Sequence, residues 1–341
     1  MHPDRDLGCE LASSALTLRP PPGRRGDPMG KVHSHLFAQN TLARVASIEG
    51  VGIHTGRRAS LRLIPAPADS GVLFRRVDCG IEIPARVDQV SSLELATTLG
   101  RDDVTVSTVE HLLAAIHIAR IDNLIIEIDG PEIPILDGSA LPYCRLIEAA
   151  GIKQLPAQRR ILAVTRPLAL DLGGKSIRVS PYPGLRISYL LEYDTPAIGA
   201  QRVELDIRND TFLQELAAAR TFALQSDVEK LHAAGLGLGG REDNCVVFTD
   251  GGPMNTELRY ADEPVRHKAL DAVGDFALLG APMWGHVEVE RGGHWVHFRM
   301  MEELLARRDC WTWVHGEAAA VEVAESELEA PGTVHPSLVL G

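Results

Sequence analysis

From Pro264 to Leu279 the chain reads as a helix whose apolar positions Leu270, Val273, Phe276 and Ala277 are interrupted by His267, Asp271 and Asp275 at four-residue intervals. That stripe constrains the fold more than any other feature. Residues i and i+4 share one helix face about a turn apart, and burying unpaired carboxylates is expensive, so a cation, a histidine or water must lie against it. A second polar pair, Glu110-His111 in Ser107-Thr108-Val109-Glu110-His111-Leu112-Leu113, sits in another helical, otherwise apolar segment far away in sequence. His267 and Asp271 can chelate one cation from a single face, and His111 can complete the set from its own element. Two imidazoles and one carboxylate leave a fourth position for water, the ligand count of a catalytic rather than a structural zinc site. Glu110 is then the base. Asp275, one turn further along, is read as a carboxylate that orients and charges another histidine.

His294 is the candidate for that partner: it follows Gly292-Gly293 and starts the helical segment His294-Trp295-Val296-His297-Phe298, so it is placed on a tight turn. A helix N-terminus lowers an imidazole pKa and a nearby Asp275 raises it; catalysis by a protonated acid needs the carboxylate to win. Each candidate also has a plainer reading. Ser107-x-x-Glu110 fits a capping box, His111 alone fits a hydrogen-bonded core histidine, and His294 fits a surface histidine capping its turn. His54, in Gly50-Val51-Gly52-Ile53-His54-Thr55-Gly56, is equally ambiguous, since this glycine pattern is too generic to mark a phosphate loop.

A length of 341 residues predicts about two domains. Net charge of −12, from 34 basic and 46 acidic residues, excludes a nucleic-acid binder with a broad basic surface; an anionic ligand would need a local basic patch. Cys9, Cys79, Cys144, Cys245 and Cys310 form no Cys-x-x-Cys pair, which fits a reducing compartment and removes them as metal ligands. No run approaches the ~18 apolar residues of a membrane span, and the first residues lack the basic start of a signal peptide, so a cytoplasmic chain without stable membrane insertion is expected.

Residues 1–38, rich in Pro, Arg and Gly, read as a disordered leader, with Met29 an alternative start; residues 314–341 read as an acidic, solvated tail. Between them strand and helix alternate. A first domain, 39–156, contains strands at 59–64, 81–87 and 123–129 and a helix at 110–119. A second, 157–313, contains strands near 160–164, 185–193 and 286–290 and helices at 210–219, 226–234, 264–279 and 294–307. Val109-Glu110-His111 and Val265-Arg266-His267 each open a helix followed by a strand, a faint echo that would put both histidines at equivalent helix starts.

Gly50-Val51-Gly52-Ile53-His54-Thr55-Gly56, Ser107-Thr108-Val109-Glu110-His111-Leu112, Ile121-Asp122-Asn123, Pro131-Glu132-Ile133-Pro134-Ile135-Leu136-Asp137-Gly138-Ser139-Ala140, Ala219-Arg220-Thr221-Phe222, Gly239-Gly240-x-x-Asp243-Asn244, Val265-Arg266-His267-Lys268-x-Leu270-Asp271-Ala272-x-Gly274-Asp275 and Gly293-His294 together resemble, in order, the UDP-3-O-acyl-N-acetylglucosamine deacetylases, zinc amidases of lipid A synthesis. The resemblance runs from about Gln39 to Trp313; Arg241-Glu242 departs from it, being more charged than the small or apolar pair expected there. It implies an α+β fold of two similar domains, each a sheet packed on helices, with the site between facing helical layers. It also implies that His111, His267 and Asp271 hold one zinc ion, that Glu110 is the general base, and that His294, oriented by Asp275, is the acid that protonates the leaving amine. Thr221 would help bind the oxyanion, Lys268, Phe222 and His54 would touch the substrate, and an insert near 222–240 would pass the acyl chain. The expected partner is a UDP-linked acylated amino sugar and the expected state a monomer. A zinc amidohydrolase acting on another acylated amino sugar, or a noncatalytic binder of the same fold, are the alternatives.

Overall fold

The structure is a computed structural model that describes residues 37–254 and 256–315; the expectations for the leader before Phe37 and for the tail beyond His315 lie outside the described residues. Phe37 itself, assigned to the leader, is buried edge-on to Trp284, and Val314, assigned to the tail, sits buried in the strand Trp311–His315.

The first half is a five-stranded sheet in the order Ala46–Val51, Arg58–Pro65, Leu124–Ile128, Val72–Arg76, Ile81–Pro84. Alternation sets its faces: Leu61, Leu63, Leu124, Ile126 and Ile128 point into the core while Arg62 and Glu127 pair on the outside. Helices α1 (Glu110–Ile118) and α2 (Leu141–Ala150) pack together in this half. The second half is a seven-stranded sheet centred on Met283–Glu290, which runs antiparallel to Ser176–Ser180 and parallel to Leu185–Glu192. Helices α5 (Glu263–Phe276) and α6 (His294–Ala306) pack on it, and in chain order the short α3 (Asn209–Glu215) and α4 (Gln225–Ala233) come between the strand Ala200–Asp206 and α5.

The faint echo is a topological one. In each half a helix, α1 or α5, leads into the central strand of its sheet, and that strand has both parallel and antiparallel neighbours, one of each in the first half and two parallel and one antiparallel in the second. The histidines are not equivalent, however: α5 begins two residues before Val265, so His267 lies a full turn inside its helix while His111 is the second residue of α1. The protein is thus α+β, with two similar sheet-and-helix halves meeting where α1 packs on α5. The connection between them is itself structured, because Ile152–Gln158 pairs antiparallel with Ala38–Leu42.

Three helix expectations are corrected. The segment expected to be helical over 210–219 leaves the helix after Glu215; Ala217-Ala218-Ala219 has high helix propensity, but Arg220 is drawn away by Glu263, which accepts bonds from its backbone N (3.0 Å), Nε (2.8 Å) and Nη2 (3.1 Å). The helix from 264 ends as α-helix at Phe276 and finishes in a 3-10 turn over Ala277–Leu279, stopped by left-handed Gly280. Ser107 caps nothing: its hydroxyl meets that of Thr98 at 2.9 Å, and α1 begins without a side-chain cap.

The α1–α5 crossing depends on Gly274. A Cβ there would lie 2.0 Å from the backbone oxygen of Glu110, so only glycine lets the two backbones approach closely enough to bring Glu110 and His111 beside Asp271 and Asp275. Gly274→Ala is therefore expected to lose about 1–3 kcal/mol of stability through overpacking, measured by thermal or denaturant unfolding. An unchanged melting midpoint would show that the helices can separate at no cost.

Candidate metal centre and cavity

Asp271, on the buried face of α5, is reached from both halves. Its Oδ1 lies 3.4 Å from His267 Nε2 and 3.5 Å from His111 Nε2, and all three residues are almost fully buried. Donors around one tetrahedral ion at 2.0–2.1 Å are spaced by about 3.3 Å, so the observed separations match ligands of a shared cation. The hydrogen bonding agrees with this. Asp271 Oδ1 has no hydrogen-bond partner, a cost for a buried acceptor that a cation there would relieve. His267 Nδ1 faces the carbonyl of Ala219 at 3.4 Å, the contact that holds a ligating imidazole with its other nitrogen toward the metal. Burial, reinforced by His111 and Lys268 and opposed by Asp271, presses the His267 pKa down to about 3, so its imidazole is neutral, as a ligand must be. Burial works against the charge of Asp271, yet His267, Lys268 and His111 hold its carboxyl well below the usual range. The residues fit a divalent metal ion.

Glu110 is buried beside this group, and its Oε2 accepts a hydrogen bond from the backbone N–H of Thr97 at 3.1 Å. That contact takes the place of the capping box. Burial raises the Glu110 pKa, while His294 and His111 pull it the other way. His294 is the first residue of α6 and is buried, not exposed on a turn, because α6 packs against α5. Its Nδ1 donates to Asp275 Oδ2 at 2.8 Å, and its Nε2 points toward Asp271 Oδ2 at 4.0 Å. Burial opposes the imidazolium, but Asp275, with help from Glu110 and Asp271, holds the His294 pKa up at about 9. The carboxylate therefore wins over burial. Asp275 itself is kept below the ordinary carboxyl range, its burial outweighed by the His294 charge and by bonds from His294 and His297.

The cluster lies on the wall of a cavity of about 780 Å³ lined also by Thr221, Phe222, Lys268 and His54. Thr221 is fixed by its backbone N–H to the Gly138 carbonyl at 2.8 Å. The Phe222 ring stands edge-on to His267 at 6.1 Å, with Lys268 Nζ 5.8 Å from its centroid. Lys268 also donates to Asp271 Oδ2 at 3.0 Å, so it serves that carboxylate as well as the cavity. The insert is not a core-facing helix: none of the residues of α4 is buried, and Leu224, Val228, Leu231 and Leu236 line the cavity. His54 lines it too, with burial lowering its pKa against the pull of Glu132.

Sequence patterns did not point to the residues that tie these elements together. Glu132 accepts bonds from the backbone N–H groups of His54 and Thr55, both at 2.8 Å, and from the hydroxyls of Thr55 (2.6 Å) and Thr108 (3.2 Å). Gly52 permits this, since a Cβ there would come within 2.2 Å of Glu132 Oε2. Thr97 joins Glu110 to Asp275, whose Oδ1 accepts its hydroxyl at 2.6 Å. His297 shares Asp275 with His294. Only the three-residue spacing of His297 from His294, one helix turn, carried a hint.

Two imidazoles and a carboxylate on one cation-sized centre, with a buried acid at hand and an α+β frame of two similar halves, form the build of a metal-dependent hydrolase. The chain belongs to the UDP-3-O-acyl N-acetylglycosamine deacetylase family, whose profile matches residues 39–306. It is 43% identical over 289 residues to the UDP-3-O-acyl-N-acetylglucosamine deacetylase of Syntrophotalea carbinolica, covering 84% of this chain and 94% of that protein. Over 269 residues it is 44% identical to the protein of the same name from Anaeromyxobacter dehalogenans, covering 79% and 87% of the two chains. The corresponding protein of Myxococcus xanthus is 40% identical over 289 residues, 84% of this chain and 92% of its own.

Proposed function

We propose that this protein is a zinc-dependent deacetylase that hydrolyses the 2-acetamido group of UDP-3-O-(3-hydroxyacyl)-N-acetylglucosamine, giving UDP-3-O-(3-hydroxyacyl)-glucosamine and acetate in lipid A synthesis. The observation that carries the reading is the convergence of His111, His267 and Asp271 beside Glu110 and His294, on the wall of a cavity that also has an apolar stretch. The three converging residues would hold the ion. When bound, zinc supplies a Lewis acid that acidifies water and polarises an amide carbonyl.

Glu110, with a raised pKa and no cationic side chain bonded to it, takes the proton from the attacking water as its oxygen bonds to the acetyl carbon. The Thr221 hydroxyl donates to the carbonyl oxygen as it gains negative charge, a contribution of about 2–4 kcal/mol for a preorganised donor. His294 carries protons on both nitrogens: Nδ1–H stays on Asp275, and Nε2–H passes to the amine nitrogen as the C–N bond breaks. An alkylamide leaves only when protonated, so this transfer and the bond cleavage belong together. Lys175 and Lys268 line the cavity and give an acidic chain the local cations that a diphosphate needs, and Leu224, Val228, Leu231 and Leu236 offer an apolar wall to the acyl chain. Phe222 and His54 complete the substrate contacts. We place the enzyme in the cytoplasm as a monomer; no helix among the described residues is long and apolar enough to cross a membrane.

The test is acetate release from UDP-3-O-acyl-N-acetylglucosamine by protein of measured metal content. Stoichiometric zinc without acetate would indicate a binding protein, and turnover of a different acylated amino sugar alone would replace the substrate. The pH profile adds a sign. The rate requires Glu110 ionised and His294 protonated, so it rises with pH through the Glu110 pKa and falls through that of His294. A divalent ion held beside His294 pulls its pKa below the value of about 9 that Asp275 sets. The basic limb is therefore expected below pH 9 and absent in His294→Gln; an unchanged basic limb in that variant would remove His294 as the acid.

A further inference from the structure

We propose that His297 is a positioning residue for this reaction: by occupying the same oxygen of Asp275 that His294 uses, it fixes the carboxylate plane that aims His294 at the scissile amide. The inference rests on the reading of His294 as the acid. His297 is wholly buried one turn after His294 on α6, and it does not line the cavity, so it cannot touch substrate. Its Nδ1 lies 2.8 Å from Asp275 Oδ2, the distance at which His294 Nδ1 meets that oxygen. Since an ionised carboxylate only accepts, both nitrogens carry their protons toward it.

A carboxylate rotates readily about its last side-chain bond, because that torsion is broad. Asp275 has this freedom removed from both ends. Thr97 Oγ1 donates to Oδ1 at 2.6 Å, and His297 donates to Oδ2, so two donors other than His294 hold opposite oxygens. His297 is itself held by packing, with Tyr189 edge-on at 5.9 Å and Phe276 tilted at 6.2 Å. Without the His297 anchor the carboxylate can turn about its contact with Thr97, and the lone pair that receives His294 Nδ1 turns with it. His294 Nε2 then leaves its line toward Asp271 and the cavity. A misplacement of this kind penalises the chemical step and leaves substrate binding alone.

The zinc-loaded protein is assayed for acetate release with His297→Leu, His297→Asn and His297→Gln. His297→Leu is expected to lower kcat by roughly tenfold to a hundredfold and to keep KM within about twofold. Asparagine places its amide nitrogen where Nδ1 stands and recovers most of kcat; glutamine, whose nitrogen falls at the Nε2 position, does not. In an Asp275→Ala background His297→Leu costs nothing further, because the interaction it serves is already gone. Wild-type kcat in His297→Leu, equal losses in the asparagine and glutamine variants, or additive losses with Asp275→Ala would each overturn the proposal. If His297→Leu does not fold, the asparagine and glutamine pair decides. If the wild-type protein releases no acetate, it is the deacetylase reading that has failed. Crystal structures of the variants then decide the positioning role alone: an Asp275 carboxylate unmoved in His297→Gln overturns it, and one rotated off His294 there but restored in His297→Asn supports it.

Discussion

Glu110→Gln is expected to lower kcat by roughly a hundredfold to ten-thousandfold, the usual span for a lost general base, with zinc content unchanged. The substitution keeps the shape of the side chain, and an amide oxygen can still accept the Thr97 N–H that fixes Glu110 Oε2. It removes the capacity to take a proton and, with the carboxylate charge, the help that Glu110 gives to the His294 imidazolium. None of His111, His267 and Asp271 is touched, and the α1–α5 crossing is unaltered because it depends on the Glu110 backbone. The acidic limb of the pH profile should vanish with the activity. Metal analysis with steady-state kinetics gives the answer: near wild-type turnover by the zinc-loaded glutamine variant would remove Glu110 from the role of base.

His267→Ala is expected to fail in a different way, losing metal and activity together. Zinc binding of about 10–16 kcal/mol shared among four donors makes one ligand worth about 3 kcal/mol, or roughly a hundredfold in affinity. The change also strips the Ala219 carbonyl of its imidazole and opens space beside Phe222, so surviving sites would be poorly shaped. Competition with a zinc-buffering chelator measures the affinity, and turnover at saturating zinc measures what remains of the chemistry. A variant that binds zinc as tightly as wild type would show that His267 is not a ligand. The two substitutions separate the roles, since one leaves an inert metalloprotein and the other an empty one.

The buried polar stripe of α5 was legible in the sequence because helical periodicity and the cost of burying acids act on neighbouring residues. His267, Asp271 and Asp275 advertise a shared face wherever the helix goes. The central strands were legible for the same reason, their alternation being local: Leu124, Ile126 and Ile128 inward, Glu127 outward. What escaped depends on contacts between distant elements. Glycines at 292 and 293 suggested an exposed turn for His294, and only the packing of α6 on α5 buries it. The alanines before Arg220 suggested three more helical residues, and Glu263, far along the chain, overrides them. Ser107 and Glu110 have the spacing of a capping box, but Thr97 and Thr98 take both partners from outside the helix. Lys268 was expected at the substrate, and its bond to Asp271 becomes visible only once the side chains are placed.

The pairing of Ala38–Leu42 with Ile152–Gln158 has a consequence for biosynthesis. The first described strand leaves the ribosome well before the segment that completes it, and translation at 5–20 residues per second makes that interval on the order of ten seconds. Throughout it, one edge of the nascent chain stands bare, a template for neighbouring polypeptides as well as for its own late partner. Holdase chaperones that shield this stretch should therefore raise the yield of native protein more than they alter the stability of the finished molecule.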